Sequence, residues 1–134
     1  MRDRFRELRR FLGVGAIGFV VDASVLTALV DVWDQDPYRA RGLSFATAVT
    51  VTWYLNRHWA FAPRANQRKT TEYARYVAVQ LTGALINLGI YAACLHISNL
   101  MRSYPVLPLA AGAATALAFN YLGAKHLVFT RRVV

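Results

Sequence analysis

The chain has 134 residues, of which 56% are hydrophobic and 17% charged, and its formal net charge is +9. This apolar share is well above that of an ordinary soluble domain. A basic surplus suggests nucleic-acid binding in a soluble protein, but here the charges are segregated from long apolar windows, so we expect no nucleic-acid partner. We expect residues 1–134 to form one membrane domain.

Four apolar windows follow one another along the chain, and each approaches or exceeds the roughly 20 residues that cross a bilayer core. They are Phe11–Val30, Gly42–Phe61, Tyr76–Ile97 and Val106–Phe129. The sequence therefore predicts an all-α integral membrane protein with four transmembrane helices, arranged as two parallel helical-hairpin repeats.

The first window opens with Gly13-Val14-Gly15-Ala16-Ile17-Gly18, a literal match to the G-x-G-x-x-G of dinucleotide sites. An arginine-rich arm precedes it and no βαβ alternation follows, so close packing of helices in lipid explains the glycines better. We expect no cofactor.

The same window contains Asp22 near its centre. An aspartate there costs about 2.5 to 3.5 kcal/mol on insertion scales and is a functional candidate by default. The alternative is a structural tie to Thr47 or Thr50 on the second helix.

The second window carries a polar and aromatic wall at helical spacing. Its members are Thr47, Thr50, Trp53, Tyr54, Asn56 and Arg57. In the third window Gln80, Asn87 and Tyr91 occupy positions equivalent to Gly15, Asp22 and Leu26 of the first. We predict that these side chains line a polar path.

Two segments of the chain echo each other. Arg57-His58-Trp59-Ala60-Phe61 has its counterpart in Lys125-His126-Leu127-Val128-Phe129, and Arg10 has its counterpart in Arg75. The internal repeat covers 10–61 and 75–129. Arg57, His58, Lys125 and His126 form a predicted basic collar for a lipid phosphate, although anchoring at the membrane surface explains such residues as well.

The basic clusters fall on one side of a four-helix topology: the arm, the middle loop, and the tail with Arg131 and Arg132. The opposite side has Arg39 and Arg41 in one loop and Arg102 in the other. The positive-inside rule then puts both termini in the cytoplasm.

No metal site is expected, because His58, His96 and His126 lack Cys or carboxylate partners at ligand spacing. The serines lack a local base or a nucleophile elbow. We expect no catalytic residues and no enzyme activity.

Taken together, the motifs resemble the GtrA-like family of small four-helix bacterial membrane proteins. The resemblance lies in Arg10–Gly15 with Asp22 downstream, in Trp53–Phe61, and in Phe119-Asn120-Tyr121-Leu122 leading to Lys125 and Phe129. Two departures are Gly18, where many members are expected to have Asn, and Ala124–Phe129, where the second Asn-Arg-x-Trp-x-Phe copy has degenerated. Asn120 joins the predicted polar path on this basis.

The resemblance implies a flippase of the cell inner membrane. It would move a polyprenyl-phosphate-linked monosaccharide from the inner to the outer leaflet for cell-surface polysaccharide modification. Expected partners are this lipid, other copies of the chain in a homo-oligomer, and membrane glycosyltransferases. Two alternatives stay open: a non-transporting anchor or partner of a glycosyltransferase, and a small multidrug-type efflux transporter in which Asp22 serves as the membrane carboxylate.

Overall fold

The protein is described by a computed structural model that covers residues 2–65, 68–104 and 106–130. Within these ranges every regular element is helical, which confirms the all-α prediction. The tail arginines used for the topology prediction lie outside the described residues. The chain divides into two compact units, which we call the first hairpin (residues 2–65) and the second hairpin (residues 68–104 and 106–130).

The first helix, α1, spans Arg2–Thr27 and continues as a π-helical turn over Ala28–Val32. The arginine-rich arm is therefore the start of the same helix that carries the first apolar window. Asp3 lies in its first turn, where a carboxylate interacts favourably with the helix dipole.

The second helix, α2, spans Pro37–Leu55 and begins before the apolar window does. The carboxylate of Asp36 accepts a hydrogen bond from the backbone amide of Arg39 at 3.0 Å, and Pro37 occupies the start of the helix, where its missing amide proton is not needed. The placement of Arg39 and Arg41 in a loop is wrong, because this cap starts the helix ahead of both. A π-helical turn over Asn56–Ala60 ends the helix.

The second hairpin repeats this plan with one short insertion. Helix α3 spans Lys69–Ile97, a short helix α4 spans Asn99–Ser103, and α5 spans Val106–Gly123 before a π-helical turn over Ala124–Val128.

Each hairpin is held by a narrow seam of buried residues spaced mainly three or four apart, so that they share one face of each helix. In the first hairpin α1 packs on α2 through Phe11, Val14, Gly18, Ala40, Ser44, Ala48 and Val49. In the second hairpin α3 packs on α5 through Glu72, Tyr76, Val79, Gly83, Pro108, Gly112, Ala116 and Gly123. Small residues in both seams let the helix backbones approach closely, which is the usual basis of helix association in lipid.

Three helical segments among the described residues are long and apolar enough to cross a membrane: Arg2–Val32, Lys69–Ile97 and Val106–Val128. The segment that starts with α2 is not one of them, because its arginines, threonines and serine lower the mean hydropathy. The count of four membrane spans and the orientation of the termini therefore stay predictions.

Candidate functional site

The first hairpin contains an ion pair between its two helices. Nη1 of Arg41 donates to both carboxylate oxygens of Asp22, at 2.6 and 2.5 Å, and lies 3.4 Å from the hydroxyl oxygen of Ser44. The side chain of Asp22 is 21% exposed and that of Arg41 is 54% exposed. The carboxylate is thus held in the hairpin by a cation that remains accessible from outside it.

The structural tie expected for Asp22 exists, but the expected partners are wrong. The hydroxyls of Thr47 and Thr50 donate to the carbonyl oxygens of Leu43 and Ala46, each at 2.8 Å, and both side chains are exposed. They point away from the seam because Ala48 and Val49 occupy the face of α2 that packs on α1. Asp22 pairs with Arg41 instead.

Thr47 and Thr50 line a shallow cavity of about 340 Å³ on the outer face of α2. Each threonine oxygen, having donated its proton to the backbone, keeps lone pairs that can accept a hydrogen bond from a ligand. Tyr54 continues this exposed face, and its ring contacts that of His58 at a tilt of 44°, with ring centroids 4.4 Å apart. The threonine and tyrosine positions of the predicted path therefore share one exposed stripe, which we call the α2 stripe (Thr47, Thr50, Tyr54).

Arg57 lies at the opposite end of α2 from Arg41 and is buried, with 8% of its surface exposed. Its guanidinium lies over the ring of Trp53, 5.9 Å from the centroid, and its neighbour Asn56 is 1% exposed. A residue that only anchors the helix at the membrane surface would extend its charge into water. Arg57 instead folds back on the hairpin, while His58 is exposed.

The second hairpin places its predicted path residues in the seam. Nδ2 of Asn120 donates to Oε1 of Gln80 at 3.3 Å, which links α5 to α3. Asn87 packs against the backbone of Gly112, and Tyr91 lies half-buried further along α3. Among the described residues, the Oδ1 atoms of Asn87 and Asn120 are buried with no hydrogen-bond partner.

The basic pair of the second hairpin differs from that of the first. Nζ of Lys125 lies 3.1 Å from the hydroxyl of Tyr121 and 5.2 Å from the centroid of its ring. Lys125 is half-buried and His126 is exposed. The two basic pairs thus lie in separate hairpins, and their union in one collar stays a prediction.

Equivalent contacts recur in the two hairpins. The guanidinium of Arg10 donates to the carbonyl of Trp59 at 3.2 Å, and that of Arg75 to the carbonyl of Leu127 at 3.5 Å. Arg75 and Leu127 are the counterparts of Arg10 and Trp59 in the sequence echo, so the echo corresponds to a contact that both hairpins make.

The seam glycines show the same correspondence. A Cβ on Gly18 would overlap the side chain of Thr52, and one on Gly83 would overlap the side chain of Asn120. In this chain neither position has room for a side chain beside its present neighbour, and Gly18 takes the place of the asparagine expected from the family pattern.

Arg41 was not among the predicted site residues, and the pairing of facing positions does not select it either. In an antiparallel hairpin, the residue numbers of two facing residues add up to a nearly constant value. The sum is 69 for Arg10 with Trp59 and 70 for Gly18 with Thr52. Applied to Asp22, that rule points to residues 47 and 48, so it selects Thr47 and not Arg41, whose long side chain reaches Asp22 from a position six residues earlier than Thr47.

No group of three or more His, Cys, Asp or Glu side chains in the described part of the chain is placed to hold a metal ion.

Comparison with protein families shows that the family described as GtrA/DPMS, transmembrane domain, fits residues 10–129. No curated protein matches the chain. The family match covers both hairpins and confirms the resemblance noted in the sequence. Together with the long apolar helices, it identifies a multi-pass membrane protein.

Proposed function

Because the chain belongs to the family of the GtrA/DPMS transmembrane domain, we propose that it moves a polyprenyl-phosphate-linked monosaccharide from the inner to the outer leaflet, for the modification of cell-surface polysaccharides. The protein carries out no covalent chemistry in this scheme. It resides in the inner membrane with four spans and both termini in the cytoplasm. It works as a homo-oligomer that supplies membrane glycosyltransferases.

The observation that carries the proposal is the ion pair between Asp22 and Arg41. A phosphate that crosses an apolar layer needs a cation along its way, since an isolated charge in hydrocarbon is very costly. Arg41 is half-exposed, so donors of its guanidinium stay available while Nη1 holds Asp22. A phosphate that reaches Arg41 can therefore bind it without entering the seam.

Arg57 supplies the second cation on the same helical segment. Arg41 lies near the start of α2, and Arg57 lies in the π-helical turn that ends it. The helical rise between them is comparable to the thickness of a bilayer core, so the two guanidinium groups lie near opposite ends of a membrane crossing. Arginine suits both positions because its planar fork matches two phosphate oxygens.

The α2 stripe lies between these cations and faces outward. Its threonine oxygens offer acceptors to sugar hydroxyls, and Tyr54 offers an apolar face to the ring. This arrangement lets the headgroup travel along the outer surface of α2 while the polyprenyl chain stays in lipid. A second copy of the chain would shield that surface, which is why we propose an oligomer.

The efflux alternative is less well supported by the geometry. A carboxylate that exchanges protons and a cationic drug must be released from any fixed cation, and Asp22 is engaged by Arg41 at both oxygens. The anchor alternative makes no use of an ion pair inside the hairpin.

Reconstitution into liposomes with a labelled polyprenyl-phosphate sugar tests the proposal. Wild type should expose the label at the opposite leaflet faster than empty vesicles do. Arg41→Gln and Arg57→Gln should each slow transfer about tenfold, the equivalent of about 1.4 kcal/mol in the barrier. Arg9→Gln removes an exposed charge from the arm and should leave the rate within about twofold.

The stripe has its own matched control. Thr47→Val with Thr50→Val keeps the shape of the stripe but removes its hydroxyls. Thr82→Val with Thr115→Val removes two exposed hydroxyls from the second hairpin that bond to their own helix backbone in the same way. Transfer should fall several-fold only in the first pair. Wild-type transfer no faster than the lipid alone would overturn the proposal and favour the non-transporting anchor. Unchanged transfer in Arg41→Gln would show that the ion pair does not take part in transfer.

A further inference from the structure

A cavity of about 270 Å³ opens where the arginine-rich arm meets the turn that follows α2. This volume is far more than the roughly 10 to 15 Å³ that a single water needs. Its charged lining consists of Asp3, Arg4, Arg6, Glu7, Arg10 and Arg64. None of these residues belongs to the basic collar or to the α2 stripe.

Both walls of the cavity are set by local structure. Asp3, Arg6 or Glu7, and Arg10 follow one another at spacings of three and four, so the first turns of α1 present them on one side. Arg64 ends the 3-10 turn over Ala62–Arg64 and is brought onto the arm by an ion pair with Glu7 at 3.2 Å. Those two side chains are only 22% and 14% exposed, so the turn is firmly attached to the arm.

The charges in this cavity do not balance. Four guanidinium groups face two carboxylates, and both carboxylates are already engaged, Asp3 by Arg6 at 2.8 Å and Glu7 by Arg64. Arg4 has no ion-pair partner among the described residues. Arg10 donates to the carbonyl oxygen of Trp59 and lies over its ring, so no carboxylate neutralises it.

The cavity has a surplus of two guanidinium groups, which matches the charge of a phosphate group. It also matches the hydrogen-bonding geometry of phosphate, because each arginine offers a planar fork of donors to a pair of oxygens. The ion pair with Glu7, whose two side chains are mostly buried, keeps Arg64 in place at the wall of the cavity. We propose that this cavity is a binding site for a phosphate group, formed by the arm and the turn after α2.

The phosphate can come from a lipid headgroup or from a soluble ion, because both present the same oxygens. The proposed site does not depend on transport, and the binding assay described below does not require transport activity. It would stand even if the proposed flippase activity failed.

Binding is measured on the full chain in nanodiscs of phosphatidylcholine, first with radiolabelled inorganic phosphate and then with short-chain phosphatidic acid. Wild type should bind at least one of them saturably. Binding of inorganic phosphate that competes with phosphatidic acid identifies recognition of the phosphate alone, whereas binding of the lipid only identifies a headgroup site.

Arg4→Gln is the main variant because Arg4 is exposed and has no ion-pair partner among the described residues. It should weaken binding about tenfold, as should Arg10→Gln. Arg9→Gln and Arg2→Gln are matched controls: they remove the same charge from exposed positions of the same arm that do not line the cavity, and should change binding less than about twofold.

The proposal fails if wild type binds neither probe. It also fails if Arg9→Gln weakens binding as much as Arg4→Gln, because diffuse attraction to a basic arm would then explain the result. Variants are compared only when their helicity and elution volume match wild type, and Arg4→Gln keeps the test decisive if Arg10→Gln does not fold.

Discussion

Neutralising Arg41 should destabilise the first hairpin more than neutralising Asp22, and the two effects should not add. Arg41→Gln leaves the carboxylate of Asp22 largely buried without its cation. Asp22→Asn leaves a half-exposed guanidinium that can still reach water. In the double variant neither charge is left uncompensated, so its loss of stability should be smaller than the sum of the two.

The exposed fractions of the Asp22 and Arg41 side chains determine how large the loss of stability should be. Removing one partner of a fully buried ion pair costs about 3 to 5 kcal/mol, whereas exposed pairs contribute about 0 to 1 kcal/mol. With Asp22 21% exposed and Arg41 54% exposed, this pair falls between these limits. We expect about 2 kcal/mol for Arg41→Gln, about 1 kcal/mol for Asp22→Asn, and a coupling energy of about 1 to 2 kcal/mol.

The assay is reversible unfolding in mixed micelles, followed by helicity, for the four members of the double-mutant cycle. The arm provides the control cycle: Asp3 and Arg6 form an ion pair at 2.8 Å whose side chains are 89% and 65% exposed. Its coupling energy should stay below about 0.5 kcal/mol. Additive effects at Asp22 and Arg41, or a coupling no larger than in the control, would refute the reasoning.

Three further variants test the hairpins. Gly112→Ala should destabilise the second hairpin by about 1 to 3 kcal/mol, because the new Cβ would lie 2.7 Å from a backbone carbonyl of the facing helix. Gly89 has open space around it, so the control Gly89→Ala should be neutral or slightly stabilising in the same unfolding assay. Arg57→Lys keeps the charge but loses the planar contact with a tryptophan ring, so it should lower the free energy of unfolding by about 1 kcal/mol and slow transfer in liposomes. Asn120→Leu removes the bond to Gln80 and should cost about 0.6 kcal/mol, the average for such bonds in lipid, whereas a cost near zero would show that this bond contributes nothing.

Local patterns in the sequence account for the helices and for the closeness of their packing. The apolar windows are long enough to require helices in lipid, since only a helix satisfies its own backbone there. The glycines at positions 18, 83 and 112 lie where the facing helix leaves no room for a side chain, as their small size predicts. The start of α2 was misplaced, because the cap at Asp36 acts over one turn and is independent of hydropathy.

The candidate site could be predicted only in part. Asp22 was found because a charge in an apolar window stands out by itself. Its partner was missed because Arg41 looks like a loop charge until the hairpin brings two helices together. The threonines of α2 illustrate the reverse: their helical spacing is correct, but spacing alone does not say whether a face turns inward or outward.

The sequence by itself determined that this protein is all-helical, lies in a membrane and belongs to its family, because hydropathy, helix length and local motifs are properties of neighbouring residues. Only the tertiary structure decided which polar groups meet. It pairs Asp22 with Arg41, turns Thr47 and Thr50 outward, and buries Arg57 against Trp53. It also brings three of the arm arginines and Arg64 to one cavity. The ion pairs and the cavity join residues that are far apart in the chain. Which polar groups meet depends on the register and rotation of the packed helices. The apolar seams set that register and rotation, and the polar side chains take the positions that result.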